Sequence, residues 1–157
     1  MSFLKNQKSK YGNYTPTNPQ KYTGGYPIRV MSTWETIYMR YLDNNPAVIA
    51  WSSESIAIPY KHPILKDHNG LPRTARYYPD FFVVVKTRTG EIEKIICEIK
   101  PFKETIQPST RGNKSNKTKL YESKTWAINS AKWIAAERYC QKMGYRFIKI
   151  TEKQLIR

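Results

Sequence analysis

The chain has 157 residues, of which 39% are hydrophobic and 13% aromatic. This suits one domain with its own core and excludes a disordered tail. Its 27 Lys and Arg residues outnumber 12 Asp and Glu residues, and the net charge of +15 predicts a polyanionic partner, DNA or RNA. No apolar run approaches the roughly 20 residues of a membrane helix, and the N-terminus lacks the apolar stretch of a signal peptide. We therefore expect a soluble, intracellular protein without a membrane partner.

Residues 1–30 contain five basic residues, no acidic residue and many Tyr, Pro, Asn and Gly residues. This composition predicts an N-terminal arm without regular structure, followed by one domain over residues 31–157. The tyrosines of the arm either stack on bases or attach an extended segment to the domain surface, and the sequence leaves both interpretations open.

The first periodic segment begins at Ser32. Its apolar residues have the spacing of a helix that faces a core, and Asp43, Asn44, Asn45 and Pro46 end it. The β-branched and aromatic segments that follow predict strands over 48–51, 56–60, 76–85 and 92–99, with a turn-rich loop over 67–72.

A polar segment over 102–119 shows no periodicity and many basic residues, and we interpret it as a mobile loop. A long helix is predicted over 121–143, ended by Gly144, and a short strand over 145–150. Thr151 and Gln154 form a capping-box pattern for a last helical turn. These elements predict an α/β fold in which helices flank a mixed sheet.

The hairpin between the two central strands brings acidic residues together. A three-residue loop with Gly90 in the left-handed conformation places Asp80 opposite Glu98. Directly opposed side chains have Cβ atoms about 5 Å apart, so two carboxylates there repel unless a cation lies between them. Hard oxygen ligands suit Mg²⁺ or Mn²⁺. Lys100 follows two residues after Glu98 and points to the same face, where it orients an attacking water or neutralises charge.

Pro79-Asp80 and Glu98-Ile99-Lys100, after a helix that carries Glu35, resemble the PD-(D/E)XK nuclease superfamily. This resemblance implies a restriction-endonuclease-like αβββαβ core. It also implies a metal site formed by Asp80, Glu98 and the Ile99 carbonyl, with Glu35 and Lys100 as further catalytic residues.

A closer resemblance covers residues from about Asn18 to Glu152. The segments STWETIYMRYLD, RYYPDFF, CEIKP and AINSAKWIAA are similar to the head completion nucleases of tailed phages with contractile tails. The resemblance implies Mg²⁺-dependent hydrolysis of DNA that processes packaged DNA ends, with 5′-phosphate and 3′-hydroxyl products. It further implies phage head, portal or neck proteins as partners, and the host cytoplasm or the virion as location. The oligomeric state stays open.

Each site residue also has a structural interpretation. Ser32 and Glu35 form an S-x-x-E capping box, so Glu35 is a helix cap or a site residue with equal weight. Asp80 follows a proline, as in many turns, and Glu98 and Lys100 also fit an alternating edge strand. Glu54 is a competing carboxylate that nothing in the sequence places beside Asp80.

The remaining candidates concern DNA contacts and two residue types with no assigned chemistry. The candidate DNA contacts are Arg111, Lys114, Lys117 and Lys119 in the loop and Lys5, Lys8, Lys10 and Lys21 in the arm. Asn129 and Lys132 share one face of the long helix, where they either reach the scissile region or the DNA backbone or form the polar stripe of an amphipathic helix. Cys97 and Cys140 lack metal-ligand spacing and are predicted to be buried thiols, and His62 and His68 to be surface residues. The alternative functions are a junction-resolving or transposon-end nuclease, and a non-catalytic basic DNA-binding assembly protein.

Overall fold

The computed structural model describes residues 12–155. The strands are β1 Gly12–Tyr14, β2 Ile28–Val30, β3 Val48–Ser53, β4 Ile58–Lys66, β5 Pro72–Tyr77, β6 Phe81–Lys86, β7 Ile92–Ile99 and β8 Arg146–Ile150. The helices are α1 Thr33–Asn44, α2 Asn116–Met143 and α3 Glu152–Leu155, with short 3₁₀ turns at Pro19–Lys21 and Phe102–Glu104.

A four-stranded mixed sheet in the order β3-β6-β7-β8 forms the centre of the fold. The pairs β3/β6 and β6/β7 are antiparallel, whereas β7/β8 is parallel. Because two parallel neighbours need a crossover connection, α2 links β7 to β8. The succession α1-β3-β6-β7-α2-β8 is the expected αβββαβ core of a restriction-endonuclease-like fold, with β4 and β5 inserted as a separate two-stranded ribbon.

The sheet separates two hydrophobic clusters. Side chains alternate between the faces of a strand, so Phe81 and Val83 pack with α1 and the N-terminal segment while Phe82 packs on the side of α2. Trp133, Ala136 and Cys140 of α2 cover the second face together with the base of the β4–β5 ribbon. The sheet, with β6 and β7 at its centre, is therefore covered by α1 on one face and by α2 on the other.

The predicted hairpin register is confirmed. Phe81 pairs with Cys97 and Val84 with Lys94, a register that continues to Asp80 opposite Glu98. Gly90 has a φ of 86°, the left-handed conformation that the turn requires.

The predicted strand over 76–85 is wrong, because two strands occupy this range. β5 ends at Tyr77 and pairs with β4, while β6 begins at Phe81 and pairs with β3 and β7. Pro79 interrupts the ladder because it has no amide hydrogen to donate. The break turns the chain from the ribbon into the central sheet at Asp80.

The expected lack of regular structure in the arm is wrong for residues 12–30. β1 pairs with β2, and Tyr22 packs on Trp51 with ring centroids 4.7 Å apart. Tyr14 also contacts Trp51, so these two tyrosines attach the segment to the domain. Residues 1–11, with Lys5, Lys8 and Lys10, lie outside the described residues.

The long helix begins earlier than predicted, at Asn116, because the Ser115 hydroxyl accepts a hydrogen bond from the Thr118 amide at 3.1 Å. Lys117 and Lys119 therefore lie on its first turn and not in a loop. The predicted ends of α1 and α2 are confirmed, with Gly144 at a φ of 76°. The predicted capping box of Thr151 and Gln154 is also observed.

The two cysteines are free and buried, as predicted. Within residues 12–155, none of the helices is both long and apolar enough to cross a membrane.

Candidate active site

Asp80 and Glu98 meet where β6 begins and β7 ends. One oxygen of each carboxylate is held by a protein donor: Oδ2 of Asp80 accepts the Ile99 amide at 2.7 Å, and Oε2 of Glu98 accepts the Tyr77 hydroxyl. Within the described residues, no hydrogen-bond donor contacts the second oxygen of Asp80. The pair is thus oriented by the fold while one oxygen of each group stays available.

Burial disfavours the charge on both carboxyl groups. The pKa of Asp80 is raised by burial and next by the charge of Glu98, against the lowering effect of the Ile99 amide and of Lys100. The pKa of Glu98 is also raised by burial, although the Tyr77 hydroxyl and nearby ammonium groups oppose this. Two buried, mutually repelling carboxyl groups favour either a retained proton or a bound cation.

Two lysines approach the carboxylate pair from different elements. Lys100 Nζ lies 3.9 Å from Glu98 Oε1, as expected for a residue on the same face. Lys132 of α2 lies 5.7 Å from the centroid of the Tyr77 ring and is half-buried. Burial lowers the pKa of Lys132, while the negative charges of Glu98 and Asp80 oppose this effect. Lys132 therefore faces the acid pair and not only the solvent.

Glu35 satisfies both of its sequence interpretations in part. Its Oε2 accepts the Met31 amide at 2.9 Å, and its own amide donates to Ser32 Oγ at 3.1 Å, so it belongs to the cap of α1. Its pKa is raised to about 7 by burial and next by the charge of Asp80. The cap therefore holds Glu35 within electrostatic reach of the metal-binding candidates.

Glu54 also lies near Asp80, which the sequence did not indicate. Its amide donates to the Asp80 carbonyl at 3.0 Å, and its carboxylate raises the pKa of Asp80 and of Glu35. Its φ of 50° is uncommon for a residue other than glycine and is a backbone strain of the kind found at functional sites. The only sequence feature that marks this position is the serine-rich turn that carries Glu54 after β3.

Tyr77 was missed by the sequence interpretation. It is 3% exposed at the end of β5, and its hydroxyl reaches Glu98 across the break at Pro79. A tyrosine three residues before Asp80 is a weak signal, since the tyrosine belongs to a different pair of strands.

The donor set suits a hard divalent cation. Within residues 12–155, no three acidic, histidine or cysteine side chains come together closely enough to form a metal centre alone. Mg²⁺ commonly uses one or two carboxylates and keeps several waters. Asp80 and Glu98 supply two such carboxylates at one point, so the residues fit this ion.

The candidate DNA contacts are spread over several positions. Lys114 pairs with Glu122 at 2.8 Å, and Arg111 and Lys117 are exposed. Asn129 is only 7% exposed, which leaves little of its amide for a phosphate. Lys21 donates to the carbonyls of Asp43 and Asn45 and serves the N-terminal segment.

Comparisons with known proteins address the same region. A family model described as TnsA-like endonuclease N terminal matches residues 45–152, a range that contains Asp80, Glu98 and Lys100. A protein named head completion nuclease, from Enterobacteria phage T4, is 34% identical over 148 residues. That alignment covers 92% of this chain and 92% of the phage T4 protein.

Proposed function

Because the chain belongs to the TnsA-like endonuclease family, we propose that it is an endonuclease that hydrolyses DNA phosphodiester bonds with Mg²⁺ or Mn²⁺. The observation that carries this proposal is the buried pair of Asp80 and Glu98, with one oxygen of each carboxylate held by the protein. A bound divalent ion supplies charge that activates water and stabilises the phosphate during cleavage.

The residues of the site have separate roles in holding the ion, orienting its ligands and transferring a proton. Asp80, Glu98 and the Ile99 carbonyl hold the ion, and the Ile99 amide and Tyr77 hydroxyl orient the two carboxylates. Lys100 brings an ammonium group to the pair, where it orients the attacking water or neutralises charge on the phosphate. Glu35, with its raised pKa, accepts a proton near neutral pH.

The biological role follows from the phage T4 relative. Since that relative is named a head completion nuclease, we propose that this chain processes the end of packaged DNA during assembly of a phage head. Head, portal or neck proteins are then the protein partners, and the host cytoplasm or the virion is the location. Basic residues bind the DNA backbone without sequence preference: Arg111, Lys114, Lys117, Lys119 and Lys132.

A cleavage assay tests the proposal directly. Circular, linear and overhanging DNA are incubated with the wild-type protein in Mg²⁺, Mn²⁺ or EDTA, and the products are tested for 5′-phosphates. We expect cleavage that needs the metal, and a loss of about 10²-fold or more for both Asp80→Asn and Lys100→Ala, because each removes a group at the reacting phosphate.

A matched control keeps the assay specific. Glu91→Gln removes an exposed carboxylate from the β6–β7 hairpin, at the opposite end of β6 from Asp80, and should leave cleavage unchanged. An Asp80→Asn protein that cleaves as fast as the wild type, with the same metal response, would refute the assigned site. DNA binding by a wild type that never cleaves would favour a non-catalytic assembly protein.

The family match also favours a second substrate class. TnsA-like endonucleases share the matched region, so transposon-end or junction substrates are the alternative. Branched and linear duplexes of equal length, tested side by side, separate these functions by their relative cleavage rates.

A further inference from the structure

The β4–β5 ribbon has the features of a DNA-binding arm. Neither strand carries an acidic residue, and the ribbon from Ile58 to Tyr77 contains four basic residues, all exposed: Lys61, Lys66, Arg73 and Arg76. The one acidic residue between them, Asp67, uses its Oδ1 to accept the Asn69 and Leu71 amides at 2.8 and 3.0 Å. With four basic residues against one acidic residue, the ribbon keeps an excess of positive charge.

Two of the four cations share the outer face of the ribbon. Pro59 pairs with Arg76 and Lys61 with Thr74, so Lys61 and Arg76 are diagonal neighbours on one face, about 7–8 Å apart. Two like charges on one face repel each other, and an anion bound beside both of them lowers this repulsion. A phosphate backbone supplies such anions at regular intervals.

A groove of about 470 Å³ runs between the ribbon and α2. Pro59, Lys61 and Thr74 line it on one side, and Ile134 and Arg138 line it on the other, with no acidic residue in its wall. Tyr60 connects the groove to the surroundings of the acid pair, because it lines the groove and its ring centroid lies 6.0 Å from Lys132 Nζ.

The tip of the ribbon is apolar as well as exposed. Ile64, Leu65 and Leu71 are 38%, 46% and 60% exposed. The His62 Nδ1 accepts the amides of Ile64 and Leu65 at 3.1 and 2.9 Å and so stabilises the irregular segment before the tip. Two-stranded ribbons fit the grooves of DNA, and apolar side chains there contact sugars or enter base steps.

Resting on the proposed nuclease function, we infer that the β4–β5 ribbon is an arm that clamps duplex DNA beside the active site. Lys61, Arg76 and Arg138 bind phosphates, and Leu65 and Leu71 enter the groove of the duplex. The ribbon begins at the active site, because Tyr77 at the end of β5 donates to Glu98. DNA held by the arm therefore lies next to Asp80 and Glu98.

The cationic part of the inference is tested by DNA affinity. Binding of a 30-base-pair duplex is followed by fluorescence anisotropy in EDTA, over a series of salt concentrations. For Lys61→Ala/Arg76→Ala we expect weaker binding and a salt slope about 1.8 smaller in magnitude, at about 0.9 per phosphate contact. Lys86→Ala/Arg88→Ala removes the same charge at the far end of β6 and should retain the wild-type slope.

The apolar tip has its own test. Leu65→Ser/Leu71→Ser should weaken binding without changing the salt slope, because no phosphate contact is lost. Ile49→Ser/Ile92→Ser, which changes two exposed isoleucines of the central sheet, serves as its control. Circular dichroism and the melting temperature establish that each variant is folded.

The outcomes separate this inference from the proposed function. If the wild type cleaves DNA in Mg²⁺ and the ribbon variants bind and cleave as well as the wild type, the DNA-binding arm is refuted but the nuclease function is not. The exposed apolar tip would then be assigned to contact with a protein partner. A wild type that binds the duplex but never cleaves it would refute the nuclease function, while the ribbon variants still report on binding.

Discussion

The carboxylate of Glu35 serves the start of α1 and faces the acid pair at the same time. Its hydrogen bond to the Met31 amide holds the side chain in place, while burial and Asp80 raise its pKa to about 7. In the unfolded chain the pKa of a glutamate is about 4.3. The folded state therefore binds the proton of Glu35 more tightly than the unfolded state does.

The sign of the resulting pH dependence follows from this difference. A carboxyl group whose pKa is raised in the folded state does not reduce the free energy of unfolding at a pH below its unfolded pKa. As the pH rises from 4.3 toward 7, the group reduces the free energy of unfolding. Without divalent metal, Glu35→Gln should therefore raise the melting temperature at pH 8 and leave it nearly unchanged at pH 4, measured by thermal unfolding. An equal shift at both pH values would contradict the raised pKa.

The same variant tests the catalytic role of Glu35. Glutamine still accepts the Met31 amide, so the cap is kept. We expect a folded protein whose cleavage rate falls by about 10²-fold or more, because a proton acceptor is lost from the site. Full activity would assign Glu35 to the cap alone.

Tyr77 orients Glu98 through a buried hydroxyl. Groups that orient a metal ligand commonly change metal affinity or activity by about 10- to 100-fold when removed. Tyr77→Phe should weaken Mn²⁺ binding, measured by calorimetry, within that range. Tyr60→Phe is the matched control, because Tyr60 also borders Lys132 but makes no hydrogen bond to Glu98.

The N-terminal segment is joined to α1 through one buried carboxylate. Asp43 is 0% exposed and accepts hydrogen bonds from the Tyr14 hydroxyl at 2.8 Å and from the amides of Thr17 and Asn18 at 2.6 and 2.9 Å. Burial raises the pKa of Asp43, but these donors outweigh it and lower the pKa. The attachment of the N-terminal segment to α1 therefore depends on the charged carboxylate of Asp43.

Asp43→Ala should remove this attachment. The Thr17 and Asn18 amides and the Tyr14 hydroxyl would lose a charged acceptor, and we expect the free energy of unfolding to fall by about 2–4 kcal/mol in urea titrations. Asn44→Ala, which removes an exposed hydrogen bond to the Arg40 carbonyl, should change it by less than about 1 kcal/mol. Equal effects of the two variants would contradict the role of Asp43.

Charge dominates the behaviour of the molecule as a whole. A net charge of +15 on 157 residues attracts DNA from any direction. The exposed basic residues of the ribbon and of the start of α2 are the positions available for phosphate contacts. Specific positioning then has to come from the groove and the site, since phosphate contacts carry no sequence information.

Affinity for duplex DNA should therefore fall steeply with salt. A protein with 6–10 phosphate contacts loses about 10³–10⁵ in affinity between 50 and 200 mM salt, and we expect a loss of this order in anisotropy titrations. Two duplexes of unrelated sequence should give the same slope. A flat salt response would remove backbone contacts as the basis of binding.

Local patterns in the chain were sufficient for several features. The Ser32 cap, the left-handed Gly90 and Gly144, and the hairpin register that sets Asp80 across from Glu98 were all predicted, because turns and caps depend on neighbouring residues. The short spacing between Glu98 and Lys100 likewise placed both on one face.

Contacts between distant segments were beyond those patterns. The positions of Tyr77, Lys132 and Glu54 around the acid pair depend on how the ribbon, α2 and the turn after β3 pack on the sheet. The N-terminal segment was predicted to be irregular, yet it packs on Trp51 and Asp43. Periodicity reports which face of an element is apolar but not which element covers it. The sequence was therefore sufficient to pick out the candidate metal ligands Asp80 and Glu98, whereas the groups that surround them depend on tertiary packing.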